Sequence, residues 1–90
     1  MDPAPLATVI LPASKYPIPE QLFQDIENRF RYHPPINDQA ARYIRIREAA
    51  GRLAILIAGE TPKSREQSLA LTLLQESTMW ANAAIACNEQ

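Results

Sequence analysis

One cysteine and one histidine in 90 residues leave neither an intramolecular disulfide nor a set of metal ligands. The lone thiol, Cys87, sits in a run of small residues and reads as a small buried hydrophobe of a protein kept in a reducing compartment, not as a reactive group. Glycine is almost as scarce: Gly51 and Gly59 are the only two, so no glycine-rich loop can cradle a phosphate. His33 has no serine and acid constellation around it in the sequence. The expectation is a protein with no catalytic residues, no metal and no cofactor. No apolar run approaches the roughly 20 residues of a membrane span, and Met1 to Pro12 lacks the basic start of a signal peptide, so a soluble intracellular protein is expected. An excess of positive charge is also missing: the net charge is −1, which counts against DNA binding.

The charges that are present are unevenly placed. Arg29 to Arg52 carries six arginines against Asp38 and Glu48, a local +4, whereas the remainder comes to −5. That asymmetry points to a local anion site. Most of the prolines, Pro3, Pro5, Pro12, Pro17 and Pro19, fall in the first 19 residues, where no periodic pattern is visible. Residues 1–18 therefore read as an extended proline-rich arm, with Leu6, Val9, Ile10 and Leu11 as an apolar patch suited to docking. Residues 19–90 are left as one domain. At this size a lone core is marginal, supplying about 3–5 kcal/mol, and self-assembly is the one staple still available.

Three helices are predicted, giving an all-α fold of short, medium and long elements. Leu22, Phe23, Ile26 and Phe30 recur at helical spacing after Pro19 and predict a first helix over about 19–31. The rigid turn Tyr32-His33-Pro34-Pro35 stops it. Asn37 or Asp38 caps the second helix, whose stripe is Tyr43, Ile46, Ala50, Leu53 and Ile57; Arg42, Arg45, Arg52 and Glu48 lie mainly off it. Gly51 interrupts this helix, tolerably if a backbone packs closely there, and Gly59 is expected to end it as a left-handed cap. The third helix starts either at Ser64, as a capping box with Gln67, or at Thr61 with Pro62. It runs to Asn88 and carries two apolar rows, one of Leu69, Leu73, Trp80, Ala83 and Cys87, the other of Leu71, Leu74, Thr78, Ala81 and Ile85. A helix packed on one neighbour needs one row, so the second is expected to meet another subunit.

Several of these pieces form a recognisable combination: Tyr32-His33-Pro34-Pro35, Asp38-Gln39, Arg42-Tyr43, Ile46-Arg47, the run Ser64 to Thr72, and Trp80-Ala81-Asn82-Ala83-Ala84-Ile85-Ala86. Over about residues 29–88 the chain resembles the small phage anti-CBASS cyclic-nucleotide sponges, which sequester the cyclic oligonucleotide messengers of a bacterial immune system. The resemblance implies a helical hexamer acting in the host-cell cytoplasm, with cyclic dinucleotides such as cyclic GMP-AMP held at its interfaces. It also implies a separate class of site for cyclic trinucleotides in some members, and a messenger that is held without being cut.

Carried onto these residues, the resemblance makes Tyr32 a base-stacking platform, with His33 donating to a phosphate or base edge. Arg47 is the best match for the cation, and Arg45 the second; either can stack on a base and bond a phosphate with two parallel N–H groups. Arg65 and Thr72, two turns apart on one face of the third helix, are the trinucleotide candidates. Each residue also has a plainer role: core packing for Tyr32, a solvated loop for His33, a solvated helix face for Arg45 and Arg47, and a surface pair with Glu66 or Glu60 for Arg65. A structural or adaptor bundle that binds a protein through the proline-rich arm is the rival function.

Overall fold

The computed structural model describes residues 14–89, and among them it contains three α-helices and no strand. The docking patch expected at Leu6 to Leu11 lies outside the described residues. The chain divides into two compact units, Met1–Pro34 and Pro35–Gln90.

In the first unit, Ser14 to Pro19 is exposed and irregular, with the Lys15 ammonium 5.5 Å from the centre of the Tyr16 ring. Helix α1 (Glu20–Phe30) begins directly after Pro19, whose carbonyl accepts the Phe23 N–H at 3.0 Å. Glu20 in the first turn and Arg29 in the last complement the helix dipole, and Arg29 also pairs with Asp25 at 2.9 Å. Of the apolar stripe, Phe23 and Ile26 are half-buried, whereas Leu22 and Phe30 stand in solvent, and no α1 residue is fully buried. The helix stops where Arg31 turns extended, ahead of the two prolines.

The second unit is a hairpin of α2 (Gln39–Glu60) and α3 (Arg65–Asn88). It is antiparallel, because Gln39 meets Glu89 at one end and Gln67 meets Ala58 at the other. Tyr43, Ile46, Ala50, Ala54 and Ile57 of α2 are withdrawn from solvent, as are Leu71, Leu74, Thr78, Ala81 and Ile85 of α3, and Ala83 and Cys87 of its other row are half-buried too. Ile85 is the one apolar residue among the described residues that is buried, and it is still 9 % exposed.

Several expectations change. The helices are short, medium and long at 11, 22 and 24 residues, but Gly59 does not end the second one. No glycine has positive φ, and the helix runs through Gly59 to Glu60, where the Thr61 hydroxyl donates to the Ile57 carbonyl at 2.6 Å and closes the last turn. Among the described residues the positive φ belongs to Asn37 instead, at 51°. Asp38 occupies the N-cap position without a capping bond; its carboxylate faces Arg42 at 3.3 Å. No backbone packs on Gly51, since a Cβ there would meet nothing within 4 Å. Leu53 leaves its expected stripe for solvent, and Ala54 takes the inward place. Ser64 starts α3, accepting the Gln67 N–H at 3.1 Å, but the box is half made: the Gln67 side chain turns away to α2. Of the two rows on α3, the Leu71 to Ile85 row packs within the hairpin, while Leu69, Leu73 and Trp80 of the other are exposed.

Candidate functional site

Tyr32 and His33 lie at the end of the first unit, in extended chain locked by Pro34 and Pro35. Tyr32 is 57 % exposed, so it does not pack in a core of the single chain. His33 is half-buried, with Nε2 2.7 Å from the Asn28 carbonyl oxygen. A carbonyl only accepts, so Nε2 carries the proton and donates. Nδ1 is the nitrogen left for anything else.

Arg45 and Arg47 project from α2 in the second unit, both exposed. Among the described residues no carboxylate pairs with either, in contrast to Arg29, held by Asp25, and Arg42, held by Glu89 and Asp38. Arg31 and Arg52 of the basic stretch likewise have no carboxylate partner among the described residues, so pairing alone does not single out Arg45 and Arg47. The helix separates them, however: positions two apart point to nearly opposite flanks, so a ligand on one helix meets one of the two and not both.

Arg65 and Thr72 share the outer face of α3 with the exposed apolar row. Arg65 stands 3.9 Å from Glu66, both side chains about four-fifths exposed, a surface pair that leaves the guanidinium almost unencumbered. Thr72 belongs to a groove of about 600 Å³ lined by Gln75, Glu76, Met79, Trp80 and Ala83. The Trp80 indole N–H donates to Glu76 at 3.3 Å, and Glu76 is the one charge among these lining residues. The groove alone is thus apolar with an acid in it, and Arg65 is the cation nearest to it along the face.

Sequence reasoning missed a polar cluster at the open end of the hairpin. The Gln39 carboxamide, 4 % exposed, accepts the Ile36 N–H at 3.0 Å and donates to the Glu89 carbonyl at 3.2 Å. Arg42 holds the Glu89 carboxylate with both terminal nitrogens, one at 2.9 Å. That hydrogen bond is the main cause of two opposed shifts: the Glu89 carboxyl titrates below the usual glutamate range, and Arg42 above the usual arginine value. Arg42 was read as off the stripe; its place beside Asp38 four residues back was the one local hint.

Of the comparisons with known proteins, one gives a match. The family model described as Acb2/Tad1, hairpin domain, matches residues 24–86, which takes in most of α1, all of α2 and almost all of α3. The chain belongs to the Acb2/Tad1 hairpin-domain family. This is the family of phage anti-CBASS sponge proteins, which sequester cyclic oligonucleotides and act as binding proteins rather than enzymes. No curated protein and no solved structure matches the chain. No helix among the described residues is long and apolar enough to cross a membrane.

Proposed function

We propose that this chain sequesters cyclic dinucleotides such as cyclic GMP-AMP, and cyclic trinucleotides at a second class of site, in the host-cell cytoplasm and without cleaving them. The family match over residues 24–86 carries this reading. Tyr32 stacks on a base, His33 meets a base edge or phosphate, and Arg47 supplies the cation with Arg45 as its alternate. Arg65 and Thr72 serve the trinucleotide. The working form is a homohexamer, which the outer faces support: Ile44, Ile55 and Leu56 of α2 and Leu69, Leu73, Met79 and Trp80 of α3 are all exposed in the single chain. Trp80→Ala therefore weakens assembly and leaves the hairpin intact, as light scattering and circular dichroism together report.

The test is direct. The protein is incubated with a panel of cyclic oligonucleotides, heat-denatured and chromatographed. Depletion followed by release of intact messenger is the expected result; linear product means catalysis, and no depletion leaves the adaptor function in front. Calorimetry then assigns the site. Tyr32→Ala removes the stacking face, worth about 1–3 kcal/mol per base, while Tyr32→Phe keeps it. Arg65→Ala weakens trinucleotide binding alone. Unchanged dinucleotide affinity in both Tyr32→Ala and Arg47→Ala would rule out the assigned residues.

A further inference from the structure

The two helices of the hairpin carry opposite charges on their outer faces. On α2, Arg52 lies about three and a half turns beyond Gln39, whose side chain reaches Glu89 at the end of α3, so Arg52 points away from α3. It is exposed, and among the described residues no carboxylate pairs with it. One turn further on, Ile55 and Leu56 stand in solvent, Ile55 with 75 % of its surface. On α3, Glu76 lies about two and a half turns beyond Gln67, whose side chain reaches the Ala58 carbonyl of α2, so Glu76 points away from α2. The Trp80 indole N–H donates to one Glu76 oxygen at 3.3 Å, and no cation among the described residues pairs with that carboxylate. The bond holds Trp80, 69 % exposed, beside an acid with acceptor capacity to spare.

Arg52 and the groove around Glu76 thus face opposite ways on one hairpin, and a single copy cannot join them. We propose that Glu76 and Trp80 of one copy receive the Arg52 side chain of a second copy. The groove, about 600 Å³, is apolar with one acid in it, and the outer face of α2 offers the converse, a cation followed by Ile55 and Leu56. A guanidinium is flat, so it lies over the indole ring while its N–H groups bond the carboxylate beside it. Arg45, two turns earlier on the same line of α2, is followed by Glu48 and Ala49 and lacks the apolar flank. Arg65 shares the face of the groove but stands roughly 16 Å up the same helix from Glu76. Because the two faces point away from each other, the contact is head-to-tail. Each copy gives an arginine to one neighbour and takes one from the other, and contacts of this kind close into rings. The inference rests on the proposed homo-oligomer and names the contact that joins its copies.

The experiment is a charge swap, read by sedimentation velocity and light scattering on the full chain, Arg52→Glu, Glu76→Arg and the variant that carries both. Both side chains are exposed, so circular dichroism should show the same helix content in all four. Each single variant sets like charges against each other and is expected to raise the concentration of half-dissociation about tenfold. The double variant restores the pair with its signs exchanged and should recover most of that loss. Trp80 is the only tryptophan of the chain, so its emission reports on the groove and should shift to the red as the full chain dissociates on dilution. An oligomeric full chain whose mass and emission are unchanged in both single variants would overturn this contact and leave the oligomer standing. Losses that multiply in the double variant, with no rescue, would do the same. Emission that shifts at constant mass when cyclic GMP-AMP or a cyclic trinucleotide is added would give the groove to the ligand instead. A full chain that stays monomeric at every concentration would remove the oligomer and this inference with it.

Discussion

At the turn end of the hairpin, Gln67 reaches back nine residues to the Ala58 carbonyl and six to Thr61, through neutral hydrogen bonds of 3.0–3.3 Å. At the open end, Gln39 and Arg42 reach Glu89 across 50 and 47 residues, and the tie includes a charge pair. The first closure is local and needs only that two adjacent helix ends meet. The second closes a long loop and depends on ionisation, so it responds to acid and salt as the first does not.

The difference can be broken from either end. The largest effect should come from Ile85, the buried side chain in the last turn of α3, whose carbonyl also accepts the Glu89 N–H at 3.2 Å. Ile85→Ala should cost about 2–4 kcal/mol in urea denaturation at fixed protein concentration, the range for emptying a packed aliphatic position. At the turn end, Ser64→Ala and Gln67→Ala should each cost about 1 kcal/mol, by loss of the cap and of the bridging amide, with the same loss at pH 4 and pH 7.

The smallest effect at neutral pH, and the sharpest contrast, belongs to Glu89→Gln. The folded-state carboxyl titrates below its unfolded value because Arg42 bonds to the ionised form. The stability it contributes is therefore complete above the ordinary glutamate range and is lost as pH falls through the lowered folded value. Thermal melts of the unmodified chain should decline on that acid side, with a shallower decline in Glu89→Gln, and added salt should narrow the gap between the two at pH 7. An identical acid profile in both would mean that the open end is held by Gln39 alone.

Local signals made the turn end legible. Ser64 and Gln67 three residues apart marked the start of α3, and the half-made box was missed only because the Gln67 amide had a better use on the neighbouring helix. Gly59 misled for a related reason: left-handed capping is a common ending, yet Thr61 could satisfy the Ile57 carbonyl from an extended conformation and the helix carried on. The two rows on α3 were visible from spacing, but spacing cannot say which row faces α2. The open end carried no such signal. Gln39 and Glu89 are ordinary surface residue types, and nothing in a linear pattern announces that the first residue of α2 meets the residue after α3. Of the ligand candidates, the Tyr32 turn was readable from its two prolines, and the opposed flanks of Arg45 and Arg47 follow from a spacing of two.

If His33 meets the ligand as proposed, its bond to the Asn28 carbonyl decides which ring nitrogen is left for that contact. With Nε2 committed as a donor, a neutral ring offers only an acceptor at Nδ1, matched to the amino or imino hydrogens of a purine edge. To donate to a phosphate from the same ring, His33 must be an imidazolium, and a neutral ring must then draw one proton from solution as the ligand arrives. The two modes differ in stoichiometry rather than in strength. Titrations in buffers of unequal ionisation enthalpy would separate them: heats that vary with the buffer, and cease to vary in His33→Asn, mark a phosphate contact, and heats indifferent to it mark a base edge.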